Sequence, residues 1–248
     1  MKLMQNIPYS SPADDAHLMD VYLPEKSNGS LFFYVHGGGL EFGDKTEFDT
    51  AARYLAQRGY AIASINYRMY PAAHYPDFLW DAAQALHYVK EHLAEYQAKK
   101  IYVGGSSAGG YVSMMLCFDP QYMARFGMDN SDIAGYFHDA GQPTAHFRVL
   151  KEKGIDSRRV IVDDTCALYH VGTLPDYPPM RFIVSDNDLQ NRYEQTVLML
   201  STLRHFGFQK ADHVLMHGNH CAYIVAVDEQ GESIFGQMIL DFLTKTEQ

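Results

Sequence analysis

Ser107 lies in Gly105-Ser106-Ser107-Ala108-Gly109, a Gly-x-Ser-x-Gly pattern. A serine hydroxyl attacks an acyl carbon only when a base takes its proton, an acid orients the base, and donors meet the oxyanion that develops. The chain carries candidates for each role. Upstream, His36-Gly37-Gly38-Gly39 offers amides that no side chain shields, and the amide of Ala108 follows the serine directly. Downstream, Ser185-Asp186-Asn187-Asp188 offers two carboxylates, with Asp139 a more remote third. Further on, Leu215-Met216-His217-Gly218-Asn219-His220-Cys221 offers two imidazoles. Asp188 is favoured over Asp186 because the longer turn brings it over the sheet edge, although either could instead cap the next helix. His220 is favoured over His217 because a loop past a strand end has reach, whereas His217 reads as the strand terminus.

Gly-x-Ser-x-Gly alone is a weak signal; its surroundings give it meaning. Ile101-Tyr102-Val103 reads as a buried strand running into the motif, and Tyr111 to Phe118 as an apolar helix leaving it. Strand, tight turn and helix form the setting in which such a serine is held in a strained conformation at the turn's tip. Side chains at Gly105 or Gly109 would crowd that turn, and Gly110 lets the helix pack close to the sheet. The helix N-terminus behind Ser107 favours developing negative charge.

The other elements alternate strand with helix. Residues 17–24 predict an antiparallel edge strand ended by Pro24, and 31–35 a buried strand ending in His36-Gly39. A helix follows over 46–58 with Gly59 as its stop, then a strand over 60–65. Pro76 and Asp77 open a helix with Phe78, Ala82, Leu86, Val89 and Leu93 on one face. Strands are expected over 133–137, 180–185 and 213–216, and helices over 193–203 and 234–243. Residues 142–170 are irregular, with a short helix ending near Gly154, and read as a small cap insertion. The alternation predicts an α/β fold: one domain over 1–248 with a mostly parallel sheet covered on both faces. Ligands of such sheets bind beyond the carboxyl ends of the strands, where all the candidate residues fall.

Composition narrows the function. The chain has 248 residues, is 47% hydrophobic and carries a net charge of −10 without charged blocks, so nucleic acid and anionic membranes are not expected partners. Cys117, Cys166 and Cys221 are too few and too scattered for a disulfide framework or a zinc site. His213, His217 and His220 lack ligand partners at metal spacing, so neither a metal nor a cofactor is expected. The first residues lack the apolar core of a signal peptide, and no apolar run spans a bilayer, so a soluble cytoplasmic protein is expected, and a homodimer is compatible.

His36-Gly-Gly-Gly-Leu-Glu-Phe-Gly43, Asn66-Tyr-Arg-Met-Tyr-Pro71, Tyr75-Pro-Asp-Phe-Leu-Trp-Asp81 and Gly105-Ser-Ser-Ala-Gly-Gly110 together resemble the hormone-sensitive-lipase-like esterases of the α/β-hydrolase superfamily. The resemblance covers roughly residues 17 to 245 and is strongest over 31–118. It implies an α/β-hydrolase fold and a carboxylic ester hydrolase with Ser107, Asp188 and His220 as triad and Gly38, Gly39 and Ala108 as oxyanion donors. Three departures stand out: Ser106 replaces the family's Asp before the nucleophile, Asp186-Asn-Asp-Leu replaces Asp-Pro-Leu, and His220-Cys-Ala replaces His-Gly-Phe. The chain is also too short before Leu31 for a large N-terminal cap. The segment from Ala167-Leu-Tyr-His-Val-Gly172 to Pro178-Pro-Met180 instead resembles the smaller members, including feruloyl or acetyl-xylan esterases and kynurenine formamidases. A small or aromatic soluble ester is the expected substrate, with Phe42, Tyr70, Tyr75 and Tyr223 as nearby aromatics. The alternatives are hydrolysis of an N-formyl amide by the same residues, or a non-catalytic binding protein on this fold.

Overall fold

The computed structural model describes residues 1–11 and 14–247. Eight strands form one sheet: β1 (Lys2–Pro8), β2 (Leu18–Leu23), β3 (Ser30–Val35), β4 (Ala61–Ile65), β5 (Lys100–Ser106), β6 (Ile133–Asp139), β7 (Met180–Asn187) and β8 (Ala211–Asn219), in the order β1-β2-β4-β3-β5-β6-β7-β8. β1 and β2 are antiparallel to their neighbours; from β4 across to β8 every pairing is parallel. The helices are α1 (Asp49–Ala56), α2 (Asp77–Glu91), α3 (Ala108–Phe118), α4 (Pro120–Ala124), α5 (Phe147–Glu152), α6 (Ala167–His170), α7 (Arg192–His205) and α8 (Ile234–Thr246).

Strand side chains alternate between two cores. On β3, Leu31, Phe33 and Val35 point to the side where Phe78, Leu86, Val112, Met115 and Leu203 of α2, α3 and α7 pack. Phe32 and Tyr34 point to the other side, against Leu55 of α1 and Phe235 and Phe242 of α8. Burial on both faces is what makes these strands continuous apolar runs. Each fully buried Phe or Leu contributes about 1.5–3 kcal/mol relative to exposure, so the sheet is a stiff platform for the loops at its carboxyl ends.

Two expectations change. The strand over 17–24 is not at the sheet edge, because β1 pairs outside it. β1 has little alternating pattern because its register shifts between Met4 and Ile7. There Asn6 takes a positive φ of 56° and its amide donates to the buried Asp20 at 2.8 Å. Asp20 is in turn paired with Lys45 at 3.0 Å. The helix over 46–58 begins as a 3₁₀ turn, Lys45–Phe48, capped by Asp44, before α1 proper. Among the described residues no helix is long and apolar enough to cross a membrane.

Candidate active site

β5 ends at Ser106 and α3 begins at Ala108, leaving Ser107 alone at the turn with φ 54° and ψ −113°. A non-glycine residue in this region is strained, and its surroundings hold it there. The Ser107 amide donates to the Asp139 carbonyl at 2.8 Å, and its carbonyl accepts from the Tyr111 amide at 3.0 Å. The flanking glycines make the turn fit: a Cβ at Gly109 would lie 2.0 Å from the Val35 carbonyl oxygen, and one at Gly105 would lie 2.4 Å from that of Gly109.

Two acid–imidazole pairs form where β7 and β8 end, and only one reaches the serine. His220 Nδ1 donates to Asp188 Oδ1 at 2.5 Å, and Ser107 Oγ donates to His220 Nε2 at 2.8 Å. The Asp188 side chain is 1% exposed and that of His220 20%. Burial works to raise the Asp188 pKa, but the hydrogen bonds from His220 and from the Leu189 and Ser185 amides prevail and hold it below the usual carboxylate range. Asp186 and His217 form the other pair at 2.6 Å, in solvent, with side chains 42% and 90% exposed. The contact is nearly as short as that of the inner pair, but both residues lie on the strands themselves and are exposed. The last strand residues are tied together, with Asn187 Nδ2 donating to Asn219 Oδ1 at 2.6 Å and Ser185 Oγ to the Asn219 carbonyl at 3.2 Å. Asp188 and His220 follow directly. Cys221 takes a positive φ of 56° to complete the turn.

The oxyanion candidates lie beside this array. Gly38 and Gly39 line the same cavity as Ser107 and His220. Gly38 has φ 101°, and a Cβ there would lie 1.8 Å from the Phe42 carbonyl oxygen. Its own carbonyl accepts from the Glu41 and Phe42 amides at 3.0 and 3.1 Å, which fixes the loop. Ala108 is the first residue of α3, so its amide has no acceptor within the helix. His36 is fully buried and stacked on Tyr67, with burial pushing its pKa down to about 4. It braces the glycine loop and lies outside the cavity walls.

Asp139, the remote candidate for the acid, does not bond His220. It ends β6, opposite Ser106 in the β5–β6 register, and is completely buried. Its Oδ1 accepts from the Tyr223 hydroxyl, and the neighbouring Ser106 Oγ accepts from Tyr34 at 2.9 Å. Burial pushes the Asp139 carboxyl up to about 6 against the opposing effects of Ser106 and Tyr223. A buried carboxyl thus sits behind the elbow on the strand next to Ser106, while Tyr223 ties it to the histidine loop. Sequence spacing hides this, because only the strand register brings residues 106 and 139 together.

Of the four aromatics expected near the site, only Phe42 lines the cavity. Tyr70 donates to Glu152, Tyr75 pairs with the Tyr122 hydroxyl at 3.0 Å, and Tyr223 faces Asp139. Each hydroxyl has a structural partner that turns the ring away. The wall that sequence reasoning missed is Phe147, the first residue of α5 in the irregular 142–170 stretch. Its ring atom would lie 3.3 Å from a Cβ on Gly39. The cavity of about 420 Å³ is therefore bounded by the glycine loop, Phe42, Phe147, Leu189, Cys221 and Ile224. Cys221 Sγ lies 3.6 Å from His220 Nε2, and burial keeps the thiol protonated. Among the described residues no group of three or more His, Cys, Asp or Glu is arranged to hold a metal.

Comparison with known proteins agrees with this architecture. A probable isoprenylcysteine alpha-carbonyl methylesterase of Arabidopsis thaliana is 32% identical over 99 residues, 38% of this chain and 21% of that protein. An acetyl esterase of Salmonella schwarzengrund is 30% identical over 97 residues, 38% of this chain and 30% of that protein. The chain thus matches less than a third of the length of either relative. Esterase B of Lactobacillus rhamnosis superposes with a TM-score of 0.81 at 20% identity, covering 99% of this chain and 85% of that structure. The fold is that of the α/β-hydrolases, as the HGGG and Gly-x-Ser-x-Gly segments imply. The BD-FAE family model matches residues 19–148, just over half the chain and the whole stretch from β2 through the glycine loop and elbow to α5; the chain belongs to the BD-FAE family.

Proposed function

We propose that the protein is a serine hydrolase that cleaves a small or aromatic soluble carboxylic ester through an acyl-enzyme. The observation that carries this reading is the unbroken relay from Ser107 Oγ to His220 Nε2 at 2.8 Å and from His220 Nδ1 to Asp188 Oδ1 at 2.5 Å. Ser107 Oγ attacks the acyl carbon as its proton passes to His220 Nε2. The carbonyl π electrons move to oxygen, and the oxyanion accepts hydrogen bonds from the Gly38, Gly39 and Ala108 amides. The imidazolium then gives its Nε2 proton to the leaving alkoxide as the C–O bond breaks. Water repeats the sequence on the acyl-enzyme, again with His220 as base. Asp188 stays ionised throughout, fixing the Nδ1–H tautomer and stabilising the imidazolium; the hydrogen bonds that hold its pKa low suit that task.

The cavity of about 420 Å³ and its two phenylalanines suit a short acyl chain or an aromatic group. A formamide could meet the same residues. An ester is preferred because the relatives matched in sequence are themselves named as esterases. The test is a panel of 4-nitrophenyl esters from acetate to hexanoate, measured beside N-formylkynurenine. Turnover of short esters at least tenfold faster than of the formamide is expected. The formamide as the better substrate, or no turnover of any ester, would refute the reading.

A further inference from the structure

A second cavity, of about 440 Å³, shares Phe147 and Leu189 with the cavity that holds Ser107. Those two side chains stand between the chambers like a sill. The chambers differ in charge. On the serine side the acidic groups in the wall are Glu47 and Glu41, the latter paired with Arg148 at 3.1 Å. On the far side the charged groups are Arg158, Arg159 and Arg192, and among the described residues no carboxylate lines that wall. In a chain of net charge −10, two of these three arginines, Arg159 and Arg192, carry no ion-paired carboxylate among the described residues, so the wall is locally positive.

The state of each arginine sharpens the point. Arg192 is 4% exposed; its hydrogen bonds go to neutral acceptors, the Ala140 carbonyl and Gln142 Oε1, while the carboxylates of Asp188 and Asp139 act on it without bonding it. Arg158 is held by Asp156 at 2.6 Å, which occupies that carboxylate. Arg159 is exposed, lines the cavity and has no hydrogen-bonded or ion-paired side-chain partner among the described residues. Gln190 and Asn191, at the N-terminus of α7, line the same wall, so the positive end of a 14-residue helix adds to the field. Guanidinium groups present a planar fork that suits a carboxylate, and a cleft lined by one sign of charge concentrates the opposite sign.

Resting on the esterase reading above, we propose that this second cavity is a subsite for an anionic group on the substrate, so that the preferred ester carries a carboxylate beyond its scissile bond. Glu47 repels that group from the serine cavity, and Arg159 receives it across the Phe147–Leu189 sill, with the buried Arg192 adding positive charge behind the wall. The ester is thereby oriented end to end, with its carbonyl at Ser107.

The test compares 4-nitrophenyl valerate with 4-nitrophenyl hydrogen glutarate, the same acyl chain ending in a carboxylate, and 4-nitrophenyl butyrate with 3-carboxy-4-nitrophenyl butyrate, which places the anion on the leaving group. For at least one pair, kcat/KM is expected to favour the acidic member. R159E should lower the acidic-to-neutral ratio about tenfold, the loss of one charge-assisted contact, with R159Q intermediate. Raising the salt concentration should shrink the wild-type preference. Circular dichroism and thermal melting confirm that each variant is folded. Calorimetric titration with glutarate reads the subsite without turnover, and R159E should weaken that binding by a similar factor. If neutral esters are turned over but neither acidic ester is favoured, or if R159E leaves both the ratio and glutarate binding unchanged, the inference fails while the esterase reading stands. If no ester is turned over, the esterase reading fails, and the glutarate titration still decides the anion site.

Discussion

Asp188→Asn and Asp186→Asn make a matched pair of perturbations, since both remove one carboxylate charge beside a histidine. Asp188 Oδ1 is 2.5 Å from His220 Nδ1, and its side chain is 1% exposed. When His220 is protonated in the transition state, the charge centres stand roughly 4 Å apart, worth about 4 kcal/mol at an effective dielectric near 20. Losing that interaction slows the chemical step by roughly a thousandfold. The effect is aggravated because an Asn amide turned toward Nδ1 selects the wrong tautomer. Asp186 is in solvent with His217, and neither touches Ser107. Its replacement should leave kcat within about twofold, as expected for an exposed pair. The assay is steady-state hydrolysis of 4-nitrophenyl acetate, with melting curves to establish folding. Asp188→Asn retaining more than a tenth of wild-type kcat, or Asp186→Asn falling as far as Asp188→Asn, would refute the assignment of the inner pair.

Two further outcomes follow from the same geometry. Gly38→Ala forces a Cβ to within 1.8 Å of the Phe42 carbonyl oxygen at a φ of 101°. It should cost about 1–3 kcal/mol of stability and roughly a hundredfold in kcat, seen by thermal melting and steady-state rates. Asp139 has its carboxyl raised by burial to about 6, against an ordinary value of 3.8. The folded chain therefore holds this proton more tightly than the unfolded one. The associated stability is fully present below pH 3.8 and is lost as pH rises through about 6. Relative to wild type, Asp139→Asn should gain up to roughly 3 kcal/mol between pH 4 and pH 7, measured by urea unfolding across that range. A stability difference that does not change with pH would contradict the raised pKa.

The elbow and the glycine loop could be read in the sequence because their chemistry is local. Strain at Ser107 needs Gly105 and Gly109 as close neighbours, and the glycine loop follows directly on a buried strand. The acid and base were harder. Asp186 and Asp188, like His217 and His220, are the same residue types a few positions apart, and what separates them is whether the strand has ended. The distinction lies in the β7–β8 register and the turn at Cys221, which residue types do not encode. β1 escaped because the shift near Asn6 erases its alternation. Phe147 escaped because an aromatic in an irregular segment has no period that marks it as a wall. Asp139 is a carboxylate of the right type for the acid, yet the β5–β6 register sets it beside Ser106, where it bonds Tyr223 instead of His220.

The central claim is that residue 107 becomes acylated. Rapid mixing with 4-nitrophenyl acetate, followed by quenching, intact mass measurement and peptide mapping, tests it most directly. A burst of about one equivalent of 4-nitrophenol is expected if deacylation is the slower step, with the acetyl mass on the peptide carrying Ser107 and absent in Ser107→Ala. Acetylation mapping to another residue, or Ser107→Ala turning over the ester at the wild-type rate, would contradict the account.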